Sequence, residues 1–344
     1  MRDIERDVEQ RYSSAATAAD PALCCPTQYD PELLADIPDE VLAIDYGCGD
    51  PTRHLRPGET VLDLGSGSGK HCFMASRIVG REGRVIGIDM NDDMLALSRR
   101  AAPVFAARVG YANVEFRKGR IQDLALDRGR LDAHLREHPV ASEAALAEIV
   151  HTVERLRRES PMVADGSVDV VVSNCVLNLV RSADKRALFD EIFRVLRRGG
   201  RAVISDITSD KDVPPHMQAD PDLWTGCVAG ALREDAFLRA FEDAGFYGIE
   251  LVERAEAPWR TVDDIELRSV TVVAHKGKQG PCDDAGQAVI YRGPFRSVED
   301  DDGHVLRRGE RTPVCAKTFE IFSRAPYRDH IEPADVAPDS KRCC

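Results

Sequence analysis

A doubly wound α/β fold is the architecture predicted by this 344-residue sequence, and three observations predict it. From Thr60 onward, short apolar strands alternate with amphipathic helices, the pattern of a parallel sheet covered on both faces. A glycine-rich turn follows the first strand, and an acidic residue ends the second, which is how such folds present a ligand site. With 43% hydrophobic and 31% charged residues the chain reads as globular, one large domain with appendages.

Taken in order, Ile4 to Ala18 read as a loose amphipathic helix, and a Pro-rich, Cys-containing stretch leads into a short helix over Pro31 to Leu42. Residues 1–55 are thus an N-terminal arm. The first five predicted strands are Thr60 to Leu64, Arg84 to Asp89, Val114 to Lys118, Val168 to Ser173 and Arg201 to Asp206. A helix over Asp184 to Leu196 places Leu188, Ile192, Phe193 and Leu196 on one face and stops at Gly199 and Gly200. The polar, helix-prone residues 125–160 read as an insertion that a minimal nucleotide-binding fold does not need. A Pro-rich connection and a helix over Arg233 to Ala244 form segment 211–245, and strands near Gly248 to Glu253 and Ser269 to His275 complete a seven-stranded sheet within residues 56–277. Residues 278–344 read as a small β-containing appendix, with a strand at Gln287 to Arg292, a turn at Asp300 to Gly303 and a tail of disordered composition.

A formal net charge of −13 argues against a nucleic-acid partner, which would call for a basic face. Met1 to Gln10 mixes charges of both signs without an apolar run, unlike a signal peptide, and no stretch approaches membrane-spanning length. The expectation is a cytoplasmic monomer. Ten cysteines are many for a reducing compartment, where structural disulfides are rare, and they lack the paired spacing of a zinc ribbon. Some of these thiols are expected to do chemistry.

Val61 to Leu64 run into Gly65, Ser66, Gly67, Ser68 and Gly69, after which Lys70 to Ile78 read as a helix. Glycines let the backbone approach a ligand, and the helix N-terminus offers amide donors. Asp89 stands about twenty residues on, where an acidic group accepts from ribose hydroxyls. The bland alternative is that the turn merely closes tightly and Asp89 caps a helix at Asn91 to Arg100. With Asp63 leading into strictly alternating glycines, the pattern resembles the class I S-adenosylmethionine-dependent methyltransferases and their Rossmann-like sheet. That resemblance implies S-adenosylmethionine as cofactor, Met90 packed on the adenine, and Ile121 and Asp123 beside its ring and amino group.

Four further segments are Cys24 with Cys25, Tyr46-Gly47-Cys48-Gly49, Ser173-Asn174-Cys175-Val176-Leu177-Asn178-Leu179, and Gly226-Cys227-Val228-Ala229-Gly230-Ala231-Leu232. Together, in this order around the glycine turn, they resemble the arsenite methyltransferase family as far as about Ala244. Cys175 follows the fourth strand, and ligands of open α/β sheets lie beyond the carboxyl ends of the strands. Cys48 precedes the first strand and Cys227 follows the fifth, so three thiols can converge there. Trivalent arsenic is a soft centre suited to three thiolates, and its remaining lone pair is the nucleophile.

The substrate implied is arsenite or methylarsenite. Transfer formally oxidises the arsenic, so repeated turnover needs two electrons from an external thiol reductant of the thioredoxin or glutathione type. Cys24, Cys25 and Cys48 are the candidate relays. The family resemblance implies a disulfide between an N-terminal cysteine and Cys48 without deciding between Cys24 and Cys25, and implies cofactor contacts for Tyr46 and Asn174. Cys72 within the first helix reads as core, Cys282 and Cys315 as structural, and His71 as a helix-surface residue. Cys343 and Cys344 are open between arsenic recruitment, electron shuttling and no role. Two other functions compete: methylation of a small organic acceptor with structural cysteines, and a thiol sensor that binds metalloid without turnover.

Overall fold

The structure is a computed structural model that describes residues 4–335 except 19, 21, 22, 24–26 and 45. Cys24, Cys25, Cys343 and Cys344, with the polar tail, lie outside the described residues. The chain divides into two compact units, one of residues 1–244 with 249–274 and one of residues 245–248 with 275–344.

The first unit opens with helix α1 (Ile4–Ala15) and the short helices α2 (Pro31–Leu34) and α3 (Asp39–Leu42). One helix over Pro31 to Leu42 was expected; Pro38 splits it, because proline excludes its predecessor from helical geometry and itself stands as the N-cap of α3. The sheet follows: β1 (Thr60–Leu64), α4 (Lys70–Val79), β2 (Arg84–Asp89), α5 (Asp92–Val109), β3 (Val114–Lys118), then α6 (Arg128–Glu137) and α7 (Glu143–Glu159). β4 (Val168–Asn174), α8 (Lys185–Val195), β5 (Leu196–Ser209), α9 (Pro215–Gln218), α10 (Pro221–Thr225), β6 (Leu232–Arg233), α11 (Glu234–Asp243), β7 (Tyr247–Arg254), β8 (Arg260–Val262) and β9 (Ile265–His275) complete the element order.

The strand order is β3-β2-β1-β4-β5-β9-β7, the expected seven-stranded path, with short β6 beside β5 and β8 beside β9. β1 lies parallel between β2 and β4, so the chain winds outward to β3, returns to β4, and winds the other way. That reversal opens a crevice beyond the carboxyl ends of β1 and β4. Val168, Val170, Val171 and Val172 are all buried, as befits a central parallel strand covered on both faces.

The arm changes what α4 can expose. Leu33 and Leu34 of α2 and the buried Ile37 and Val41 join the core cluster that holds Phe73, Met74 and Val79 of α4. Eight of the ten α4 residues are consequently buried, among them His71, which was expected on the helix surface. α5 runs well beyond Arg100; Asn91 caps it by accepting from Asp93 and Met94 N–H groups, and Gly110 ends it. In α6 and α7 only Thr152 is buried, so these helices pack lightly.

The second unit has its own core of Tyr247, Val289, Tyr291, Leu306, Val314, Ile321, Phe322 and Ile331. β10 (Gln287–Tyr291) pairs antiparallel with both β13 (Arg311–Val314) and β14 (Ile331–Asp335). β11 (Ser297–Glu299) and β12 (Val305–Arg307) form a hairpin whose turn is held by Asp300 Oδ1, the acceptor for Asp302 and His304 N–H groups. Cys315 is buried and caps α12 (Ala316–Phe322) by accepting from Thr318 N.

Candidate active site

A cavity of about 1310 Å³, counting its open mouth, lies in the crevice between β1 and β4. Its first wall is the glycine turn. Gly65 and Ser66 N–H groups both donate to Ile88 O, folding the turn back on β2. Gly65 has φ +71°, and a Cβ there would stand 2.4 Å from Val176 Cγ1, so only glycine fits. Asp89 is held in place by two backbone donors, Gly67 N to Oδ2 at 2.8 Å and Asn91 N to Oδ1 at 2.8 Å. Burial raises its pKa, and these amides oppose the rise.

Ser66 Oγ is buried on this wall with no hydrogen-bond partner among the described residues, a polar group waiting for a ligand. Met90 and Ile121 supply apolar wall. An acidic acceptor, an orphaned hydroxyl and apolar faces together fit a nucleoside-bearing cofactor. Asp63 lies beneath the turn and accepts from Cys72 Sγ at 3.2 Å; burial first, then the charge of Asp89, pushes its pKa to about 7. Cys72 is fully buried, the core position expected for it.

The arm roofs the cavity, a role the sequence did not signal. Glu5, Val8, Glu9 and Tyr12 of α1 line it, and Asn91 Nδ2 ties α1 down by donating to Glu9 O and Ser13 Oγ. Tyr46 also lines it, but its hydroxyl donates to Ala15 O and accepts from Asp20 N. Two expected cofactor contacts stand off the wall: Gly69 at the N-cap of α4, and Asp123, whose carboxylate is taken by Arg157 of α7 at 2.7 Å.

The second wall carries thiols. Cys175 and Cys227 line the cavity, and both have left-handed backbone, φ +62° and +61°. Non-glycine residues adopt that region at a cost, and such strain clusters at functional sites. Cys227 Sγ donates to Cys175 O at 3.1 Å, so the two segments touch. The Tyr12 hydroxyl hydrogen-bonds the Cys227 thiol; burial, then Cys227 and Cys175, push the phenol pKa up. Cys48 is buried in the apolar cluster against which Cys175 packs, behind the wall rather than on it. Among the described residues the three sulfurs do not all lie within 4.8 Å of one another.

Asn174 precedes Cys175, and its side chain is spent on neighbouring elements: Oδ1 accepts from Cys48 N at 2.8 Å and Gly49 N, and Nδ2 contacts Gly49 O and His71 Nε2. Burial depresses the His71 pKa, keeping the ring neutral. Beyond Cys175 lies a buried polar group that sequence reasoning missed. Asn178 Nδ2 donates to Asp206 Oδ1, Ile207 O and Cys227 O. Lys185 Nζ donates to Leu177 O and to Gly230 O at 2.8 Å. Burial raises Asp206 to about 6 and lowers Lys185 to about 8.

A methyltransferase-domain family model matches residues 55–162 and 156–245, and one described as a domain of unknown function (DUF8838) matches residues 278–342. The arsenite methyltransferase of Aquipseudomonas alcaligenes is 33% identical, the alignment covering 94% of this chain and 87% of that protein. The chain belongs to the arsenite methyltransferase family. A second arsenite methyltransferase, from Halobacterium salinarum, is 37% identical across 72% of this chain, which spans about half (54%) of that protein. The family's fold is shared by the crystal structure of CrArsM, an arsenic(III) S-adenosylmethionine methyltransferase from Chlamydomonas reinhardtii, with TM-score 0.61 and 26% identity over 95% of this chain and all of that one.

Proposed function

We propose that this chain methylates trivalent arsenic: arsenite held by the thiolates of Cys48, Cys175 and Cys227, or methylarsenite, whose methyl group leaves two valences, held by two of them. The observation that carries the reading is the pairing of walls: two strained, touching cysteine segments face the same cavity as the glycine turn and Asp89. S-adenosylmethionine supplies an electrophilic methyl group. Asp89 would accept from its ribose hydroxyls, Ser66 Oγ would gain a partner, and Met90 and Ile121 would flank the base.

Binding of arsenite to three thiols releases three waters and leaves a pyramidal centre with a lone pair, so no side chain has to act as a base. The residues position that lone pair and exclude water, and the α1 roof is suited to the second task. Each transfer formally oxidises arsenic, and two electrons return from an external thiol reductant of the thioredoxin or glutathione type, with Cys24, Cys25 and Cys48 as relays.

Chromatography with arsenic-specific detection tests the reading on purified protein, arsenite, S-adenosylmethionine and a thiol reductant. Cys175→Ser is expected to lower methylarsenical formation by about 100-fold or more with cofactor affinity changed less than about twofold. Asp89→Ala is expected to weaken cofactor binding by about tenfold or more while arsenite affinity holds. The reverse pattern overturns the assignment of the two walls.

A further inference from the structure

We infer that the two asparagines flanking Cys175 are positioning residues that clamp the other two cysteine segments onto it, Asn174 holding the Cys48 segment and Asn178 the Cys227 segment. The inference rests on the proposed reading of the three cysteines as arsenic ligands. Three thiols on segments far apart in the chain can chelate one small centre only if their backbones are held in a common frame. Hydrophobic contact alone does not fix register to the fraction of an ångström that a chelate needs, whereas directional hydrogen bonds do.

The two amides divide that work. Asn174 Oδ1 accepts from the backbone N–H of Cys48 itself, across 126 residues of sequence, and its Nδ2 meets Gly49 O. Asn178 Nδ2 donates to the backbone carbonyl of Cys227 itself, across 49 residues, and also to Ile207 O and Asp206 Oδ1. Both asparagines are buried, so these bonds are formed out of competition with water.

The surroundings hold the clamp rather than the cysteines. Asp206 is fully buried, and its carboxylate also accepts from Leu177 and Ile207 N–H groups, locking the turn that carries Asn178. Lys185 Nζ spans the same joint from the other side, reaching Leu177 O, Asn178 Oδ1 and Gly230 O. Gly230 is what allows the approach, for a Cβ there would stand 1.9 Å from Asn178 O. With each neighbour so fixed, Cys175 and Cys227 keep left-handed backbone that they would otherwise leave.

A general structural role and a clamp differ in coupling, which double-mutant cycles measure. The probe is arsenite, titrated against the full-length protein with S-adenosylmethionine affinity followed in parallel. Cys227→Ser is expected to weaken arsenite binding by about tenfold or more, and Asn178→Ala by several-fold at unchanged cofactor affinity. Combined, they should be no worse than Cys227→Ser alone within about twofold, whereas Asn178→Ala with Cys48→Ser should multiply. Asn174→Ala should show the mirror pattern, redundant with Cys48→Ser and multiplying with Cys227→Ser. If Asn178→Ala is insoluble, Asn178→Ser, which keeps a short hydroxyl, is put through the same cycle. Multiplication in every combination overturns the clamp while leaving the ligand assignment standing. An unchanged arsenite affinity in Cys227→Ser overturns the ligand assignment and the clamp with it.

Discussion

The two walls of the cavity are built on opposite plans. The cofactor wall is nearly contiguous: Gly67 and Asp89, the residues that define it, bond across 22 residues, and β1, α4 and β2 supply the frame. The thiol side is gathered from three places, Cys175 and Cys227 on the wall and Cys48 behind it, with bonds across 126 residues to Cys48 and 49 to Cys227. A contiguous wall needs only local geometry, a glycine where φ is positive and an amide where a carboxylate must sit. A gathered wall needs buried polar groups to hold separate segments together, and those groups carry the desolvation cost of being there. The cofactor wall is therefore expected to fail locally when altered, and the thiol wall to fail through stability.

The largest test of that contrast is Lys185→Met. The change removes the donor to Leu177 O and Gly230 O and the nearby charge that opposes the rise of the Asp206 pKa. Leaving these buried carbonyls without their donor is expected to cost about 1–3 kcal/mol, read by denaturant unfolding of the intact chain. A cost under about 1 kcal/mol would mean that packing, not the polar joint, holds the thiol wall.

Gly65→Ala probes the point where the walls meet, since its Cβ would strike Val176, the residue after Cys175. With φ at +71°, a side chain is strained there whatever space is made. Isothermal titration is expected to show cofactor affinity falling by about tenfold and arsenite affinity by less than about threefold, because the strain acts first on the turn. Equal losses would show that the walls move as one body, and the contrast would need redrawing.

What was legible in the sequence follows the same division. β1, β2, β4 and β5 could be read because buried parallel strands are rich in Val, Ile and Leu, as in Val170, Val171 and Val172, and the turn because glycine at Gly65 and Gly67 has few other uses. Cys175 could be placed near the cavity from its position just beyond β4, and Cys227, which follows α10, from lying in the connection after β5. Pro38 is the local signal in the sequence for the break between α2 and α3. The burial of His71 and the roof over the cavity depend on where the arm docks, which no local pattern encodes. Lys185 looks like a solvated first residue of a helix and Asn178 like a loop amide. Only their partners, Gly230 O and Cys227 O, give them work, and those partners lie 45 and 49 residues away. Asp123 shows the converse: a carboxylate after β3 was expected beside the cofactor, and Arg157 of α7 takes it instead.

A third test lies on the cofactor wall and separates a local electrostatic device from the thiol wall's joint. Asp63 is buried under the glycine turn with its pKa pushed to about 7, first by burial. An aspartate in the unfolded chain titrates near about 4. The folded state therefore favours the protonated acid, and this contribution to stability is whole below about pH 4 and is lost as the pH rises through about 7. Asp63→Asn keeps the shape of the protonated acid and an oxygen able to accept from the Cys72 thiol, but it cannot ionise. Thermal melting should then find the variant equal to the parent at about pH 4.5 and more stable at about pH 8, the gap opening between. A gap of constant size across that range would mean that Asp63 stays ionised in the fold, and that the wall tolerates a buried charge without the neutralisation its burial demands.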